Sequence, residues 1–337
     1  MMKYEKTWYN LLVRGVKDVE KQLFPFPTEG KRYYTWSRHL KDEFGFKVFK
    51  VALDAGFDCP NRDGTVAFGG CTFCSAAGSG DFAGDRVDPI DVQFAEIRDK
   101  MHKKWKEGKY MAYFQAYTNT HAPLPKLKEK FEAALAQEGV VALSIATRPD
   151  CLPDDVVEYL AELHERTYLW VELGLQTVHE RTANLVNRAH DFQTYVEGVQ
   201  KLRKHGIRVC THIINGLPLE DYDMMMETTR EVAKLDVQGI KIHLLHLLKG
   251  TPMVKQYEKG QLEFLEKEEY IKLVADQLEI LPPDMIIHRI TGDGPIELMI
   301  GPMWSVTKWE VLNGIDKELE RRGSWQGKLY EKAVETI

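Results

Sequence analysis

Three of the five cysteines in this 337-residue sequence fall within sixteen positions. Asp58-Cys59-Pro60-Asn61-Arg62-Asp63-Gly64 runs on to Gly69-Gly70-Cys71-Thr72-Phe73-Cys74, a C-x11-C-x2-C pattern. Three thiolates on a glycine-rich loop suit a 4Fe–4S cluster that keeps one iron free of protein ligands. Gly64, Gly69, Gly70, Gly78 and Gly80 let backbone wrap closely around a bulky inorganic group. An iron with an open position can chelate a small molecule and pass it an electron. The competing chemistry is structural zinc, which takes four closed ligands. Cys151 or Cys210 would have to supply the fourth, and neither belongs to a second CxxC pair.

Such a loop needs a rigid support, and the sequence around it reads as strand-then-helix units. Short apolar or β-branched runs occur at Lys47–Leu53, Met111–Tyr117, Val140–Thr147, Leu169–Leu175, Ile207–Ile214 and Gly239–Leu245. Helical periodicity fills the gaps at Asp88–Glu107, Pro125–Gln137, Pro153–Arg166, Asp191–His205 and Asp221–Leu235. Leu152-Pro153-Asp154-Asp155 places Pro and acids in a first turn, and Asp191 is a candidate cap. The pattern predicts an α/β fold with parallel strands and right-handed crossovers, as an open sheet or a barrel. In either, ligands gather at the C-terminal ends of the strands. The cysteine loop directly follows the first strand.

Residues 1–45 form a basic, aromatic extension, 46–290 the core and 291–337 a second extension. Residues 250–337 include a long helical stretch, Tyr257–Leu281, and a strand-like Met285–Ile290. Lys plus Arg number 45 and Asp plus Glu 51, a formal charge of −6. That excludes a wholly basic nucleic-acid binder while leaving room for a local basic surface. With 44% hydrophobic and 28% charged residues, the chain is not a disordered one. The apolar run Ile240–Leu248 is broken by Lys241, His243 and His246, far short of the roughly 20 residues a membrane helix needs. The N-terminus lacks the apolar core of a signal peptide, and five unevenly spaced cysteines suit a reducing cytoplasm.

A three-cysteine loop after strand one of six βα units resembles the radical S-adenosylmethionine (SAM) superfamily, from about Phe46 to Ile290. Phe73 before the last cysteine fits that pattern, whereas the x11 spacing departs from the usual x3. Thr147-Arg148-Pro149-Asp150, Glu172-Leu173-Gly174-Leu175-Gln176 and Asn187-Arg188-Ala189-His190 look like stretches of the Elongator catalytic subunit's radical SAM domain. The Glu-Leu-Gly-Leu-Gln and Gly216-Leu217-Pro218 pieces also look like the oxygen-independent coproporphyrinogen oxidases. Tyr34-Thr35-Trp36-Ser37 and the run from Lys50 to Gly64 are similar to the YtqA/YhcC-type family, a match covering nearly the entire chain.

The resemblance implies a partial (β/α)6 TIM-like radical SAM barrel with N- and C-terminal extensions. It implies a 4Fe–4S cluster on Cys59, Cys71 and Cys74, and cleavage of SAM to a 5′-deoxyadenosyl radical. Gln176 would contact the SAM ribose, and Arg188 the methionine carboxylate through its planar fork of donors. Relatives carry Gly-Gly-Glu or Gly-Gly-Gly after strand two; here the turn is Gln115-Ala116-Tyr117-Thr118-Asn119-Thr120, and Thr118 and Asn119 are candidates to bond SAM by side chain. Ala146 and His212 stand where relatives carry a glutamate and an aspartate, so no adenosyl contact carries over there. Ile214-Asn215-Gly216-Leu217-Pro218 looks like the loop that lines the adenine.

For substrate, the resemblance implies the tRNA wobble uridine, with 5-carboxymethylaminomethyl(-2-thio)uridine converted to the aminomethyl form. Partners would be tRNA, an electron donor such as flavodoxin or ferredoxin, and a downstream tRNA methyltransferase. The alternative is a small metabolite or peptide. Residues 1–50 hold 11 Lys/Arg against 6 Asp/Glu, interleaved with Trp8, Tyr9, Tyr33, Tyr34 and Trp36. Lys103-Lys104-Trp105-Lys106 and Lys308-Trp309 repeat the theme. This composition suits phosphate attraction and base stacking, and equally a solvated face with aromatic packing. His243 and His246 differ by an odd number, so on one strand they would face opposite ways. Each reads as a buried histidine, and Cys151 and Cys210 as inert thiols.

Overall fold

The computed structural model describes residues 30–331. Thr35 caps the first helix, α1 (Trp36–Phe44), by accepting from Arg38 N at 3.0 Å, and Gly45 ends it with φ 71°. There follow β1 (Val48–Leu53), α2 (Ile90–His102), β2 (Lys109–Phe114), α3 (Leu124–Leu135) and β3 (Val140–Thr147). Then come α4 (Asp154–Arg166), β4 (Tyr168–Gln176), α5 (Glu180–Leu185), α6 (Phe192–Lys204) and β5 (Arg208–Asn215). The chain continues through α7 (Tyr222–Ala233), β6 (Gly239–Leu244), β7 (Leu247–Leu248), α8 (Val254–Glu258) and α9 (Lys267–Ile280). It closes with β8 (Ile286–Arg289), β9 (Met299–Gly301) and α10 (Lys308–Arg321).

The local signals act as their chemistry dictates. Asp154 and Asp155 occupy the first turn of α4 and Arg166 its last, each charge opposing the helix dipole. Asp191 caps α6 by accepting from Thr194 N at 2.7 Å. The helical run expected over Tyr257–Leu281 is instead two helices: Gly260 turns the chain at φ 68°, and α9 starts only after a Glu266–Glu269 capping box.

Among the described residues seven strands pair in the order β1-β2-β3-β4-β5-β6-β8, every pair parallel. The sheet curls into a partial TIM-like barrel, and the strand-like stretch at 285–290 supplies its seventh strand as β8. A two-stranded antiparallel sheet, β7-β9, lies beside it.

Alternation sorts each strand into two faces. Val51, Leu53, Ala112, Phe114, Leu143, Ile145, Val171, Leu173, Val209, Ile240 and Ile242 face the helices, sealed by Phe131, Leu160, Tyr195 and Leu202. Each such side chain stabilises the fold by about 1.5–3 kcal/mol when fully buried.

The inner face is layered. At the N-terminal end Met111, Ala142, Trp170, Cys210 and Ile286 make an apolar plug, closed from below by Leu40 of α1 and by Trp36. Trp36 stacks on His288 at 3.9 Å and meets Trp170 edge-on at 5.4 Å. Tyr33 is buried as well. Of the two readings the composition left open for these aromatics, packing holds for Tyr33, in the main core, and for Trp36, against the plug. Trp8 and Tyr9 lie outside the described residues. Among the described residues no helix is long and apolar enough to cross a membrane.

Candidate functional site

Cys59, Cys71 and Cys74 come together on the loop after β1, although ten and more residues separate the first two. The insert folds back on itself. Asp63 and Phe68 form an antiparallel bridge, Arg62 N and Asp63 N bond to Cys59 O, and Gly70 N bonds to Asn61 O at 2.7 Å. This small hairpin returns the chain to Cys71 and accounts for the unusual spacing. Gly70 takes φ 76°, and a Cβ there would sit 2.8 Å from Arg62 Nε. Arg62 in turn donates to Ser75 O at 2.6 Å and Ala76 O at 3.2 Å, tying the hairpin to the far side of Cys74.

The thiols act on one another. Cys74 is drawn down to about 7, first by its hydrogen bond with Cys71 and then, against burial, by Arg62 and Ser79. Cys71 is pushed up by that same bond, by burial and by the charge of Cys74. All three are partly exposed, whereas Cys151 and Cys210 are buried and pushed up by burial. Cys151 Sγ lies 3.8 Å from Asp150 Oδ1, and Cys210 belongs to the apolar plug. Among the described residues no three His, Cys, Asp or Glu side chains close on a single ion. Cys151 turns to Asp150 and Cys210 lies in the apolar plug, so neither is built as a fourth ligand, and three thiolates fit a cluster better than tetrahedral zinc.

Two arginines hold the loops around the thiols. Arg148 is forked by Asp150 (Nε 2.9 Å, Nη2 2.7 Å) and gives Nη1 to Arg188 O at 2.8 Å and Nη2 to Ala189 O at 3.3 Å. Arg188 is 1% exposed. Its Nη1 donates to Leu175 O at 2.7 Å and to Thr177 O, while Nε and Nη2 both donate to His190 O. The fork expected to hold a methionine carboxylate is spent on backbone carbonyls, so Arg188 here clamps the β4 end to the loop after α5. The Thr-Arg-Pro-Asp and Asn-Arg-Ala-His stretches are thus two halves of one backbone clamp.

Thr118 and Asn119 are buried too. Asn119 Nδ2 donates to Phe114 O, Ala116 O and Ala146 O, so its side chain shapes the turn after β2 instead of facing outward. Its Oδ1 has no partner among the described residues. Tyr117, at φ 58°, lies against Gly78, where a Cβ would come within 2.6 Å of the ring, and its hydroxyl donates to Ala76 O at 2.6 Å. Gln115 Nε2 donates to Ser79 O at 2.7 Å. The turn packs directly on the segment after Cys74.

Gln176 differs from these. It ends β4 at φ 64°, and its amide nitrogen lies over Gly174, so close that a Cβ at Gly174 would stand 2.5 Å away. Its side chain is half-buried over the inner face, where the resemblance puts the SAM ribose contact.

Below this rim lies a polar layer that the motifs did not reveal. Glu172, fully buried, accepts from Lys50 Nζ at 3.0 Å, Ser144 Oγ at 2.8 Å, Tyr113 Oη at 2.9 Å, His212 Nε2 at 2.9 Å and Lys241 Nζ. Burial opposes charge on Glu172, and Lys241 and Lys50 overcome it, holding the carboxyl well below the usual range. The available signal was a polar residue at an inner position of each of the six strands β1 to β6. Above the layer the inner positions are the small, half-buried Ala52, Ala146 and Gly174, with the Gln176 amide over the last of them.

His243 lies 5.2 Å from His212, ring to ring. His246 comes after the end of β6, and both His243 and His246 approach Gly292, at 3.7 and 3.6 Å from its Cβ direction. The expectation of opposite faces fails because the strand stops at Leu244.

The family model described as the radical SAM superfamily matches residues 61–232, and that of the Radical_SAM C-terminal domain matches 237–321. The uncharacterised YtqA of Bacillus subtilis (strain 168) is 75% identical over 312 residues, 93% of this chain and 97% of its own. A tRNA uridine(34) acetyltransferase of Methanocaldococcus jannaschii is 25% identical over 191 residues, 56% of this chain and 34% of its own. Among solved structures, the archaeal Elp3 of Methanocaldococcus infernus aligns with a TM-score of 0.62 at 18% identity, over 83% of this chain and 64% of that one.

Proposed function

The chain belongs to the radical SAM superfamily, in the branch that includes YtqA, and we propose that it acts on the tRNA wobble uridine. The reaction proposed is conversion of 5-carboxymethylaminomethyl(-2-thio)uridine to 5-aminomethyl(-2-thio)uridine. The observation that carries this reading is the likeness, 25% identity over 191 residues, to a tRNA uridine(34) acetyltransferase. Tyr33 and Trp36 do not support it, since both are committed to packing.

The family implies a 4Fe–4S cluster and SAM, and Cys59, Cys71 and Cys74 would hold the cluster. When bound, the two together supply a hydrogen-abstracting 5′-deoxyadenosyl radical. The chain's own residues do the rest by position. The hairpin from Asn61 to Gly70 and the Arg148–Arg188 clamp fix the loop that carries the thiols. Gln176 offers an amide at the lumen rim for the SAM ribose. Leu40, Trp36 and the apolar plug close the opposite end against water, so substrate enters from the cysteine side.

The test is reconstituted enzyme with SAM, dithionite and tRNA bearing the carboxymethylaminomethyl group. Nucleoside mass spectrometry should show the aminomethyl product; 5′-deoxyadenosine formation with unchanged tRNA would reject the substrate and favour a small metabolite or peptide. An electron donor such as flavodoxin or ferredoxin and a methyltransferase acting on the product would complete the sequence in the cell.

A further inference from the structure

The polar layer of the lumen brings two ammonium groups to one carboxylate. Glu172 is enclosed, and five side chains donate to its two oxygens, which fills its accepting capacity. His212 is pushed down to about 4, chiefly by burial, so it brings no charge at neutral pH. Lys241 is pulled down to about 8 by burial even with Glu172 beside it. Two ammoniums thus face one carboxylate, and a buried cation without its own counter-charge is costly.

Lys50 is where that excess can be used. One of its three N–H donors meets Glu172 Oε1 at 3.0 Å, and its Nζ lies 4.3 Å from the Tyr113 ring centre and 5.3 Å from that of Trp36. A quarter of its side chain, 25%, remains exposed, against 7% for Lys241 and 0% for Glu172. Above it the inner positions are the small, half-buried Ala52, Ala146 and Gly174, with the Gln176 amide lying over Gly174. Lys50 stands three residues before the end of β1, about 10 Å below the rim at roughly 3.3 Å per residue.

We propose that Lys50, backed by Lys241, binds a carboxylate of the substrate on the floor of the lumen, with the neighbouring carbon turned toward the cysteine loop. The inference rests on the lumen being the substrate chamber of the function proposed above, and it narrows the substrate class to molecules with a carboxylate on a short arm. A base seated at the rim reaches the floor only through such an arm. The ammonium of Lys50 and the carboxylate would form a charge-assisted pair shielded from water.

The probes are anticodon stem-loops carrying 5-carboxymethylaminomethyluridine or its methyl ester, bound to reconstituted protein and followed by fluorescence anisotropy. Wild type should prefer acid to ester about tenfold. Lys50→Gln should level the two, and Lys50→Arg should keep a preference. Equal binding of acid and ester to wild type overturns the inference without need of any variant, as does a preference that survives Lys50→Gln. If neither stem-loop binds, the tRNA reading fails and N-acetylglycine decides the carboxylate site alone. It should raise the melting temperature of wild type and leave Lys50→Gln unmoved; no rise in wild type, or an equal rise in both, overturns the site.

Discussion

The side-chain amide of Asn187 donates to Gly70 O at 2.8 Å, joining the loop that carries Arg188 to the residue before Cys71. The same nitrogen reaches Phe68 O at 3.0 Å. Asn61 answers by donating to Asn187 O at 2.5 Å and lies 3.5 Å from Cys71 Sγ. Two loops more than a hundred residues apart in sequence are thus clasped at the thiols. Asn187 does this at φ 54°, a left-handed conformation that Asn tolerates better than most residues.

Asn187→Gly keeps that backbone freedom and removes both donations. The variant should fold, with about 1–3 kcal/mol less stability from the carbonyls left unpaired. Reconstituted protein should lose iron to a chelator faster than wild type. Iron release timed by absorbance checks this, and an unchanged rate would show that the clasp does not support the thiols.

Arg188→Ala leaves the carbonyls of Leu175, Thr177 and His190 without their donor in a buried place. The expected cost is about 1–3 kcal/mol for each buried carbonyl left unpaired. Arg188→Lys should recover little, because one ammonium cannot span carbonyls that a planar fork joins. Urea unfolding of the two variants tests the clamp. Near-native stability in Arg188→Ala would return Arg188 to the role of a free carboxylate binder.

Much of this fold was legible in the sequence. Every one of the six core strands was visible as an apolar run, and Asp191 and Pro153-Asp154-Asp155 marked helix starts, because caps and periodicity are local. That Cys59, Cys71 and Cys74 share the loop after the first strand was legible for the same reason, since it depends on position along a short stretch. The use of Arg188 was not, since whether a guanidinium meets ligand or carbonyl depends on where the β4 end and the 187–190 loop meet in space. The Glu172 layer was hidden similarly. Its members, from Lys50 to Lys241, come from six strands and meet only when the sheet curls.

Glu172→Gln should be strongly destabilising. It keeps the shape but strips Lys50 and Lys241 of their counter-charge, at a cost of about 3–5 kcal/mol. Adding Lys241→Met to that variant should recover part of the loss, because the second buried charge is then gone. Denaturant midpoints of the single and double variants measure this, and a double variant less stable than Glu172→Gln alone would contradict it.

Acid should weaken the fold before the carboxylates titrate. His39, His212 and His246 are each pushed down to about 4, first of all by burial, from an ordinary value near 6.5. Between those values the unfolded chain binds more protons than the native one, so stability falls as pH drops from 6.5 toward 4 and this contribution levels off below 4. Melting temperatures across that range should decline steadily. A flat profile between pH 6.5 and 5 would mean these histidines are not buried neutral.

What the three thiols hold decides the chemistry. Protein purified and reconstituted without oxygen should carry about four iron and four acid-labile sulfide per chain and show broad visible absorbance, all lost in Cys71→Ala. Stoichiometric zinc with no sulfide in the wild-type protein would contradict it.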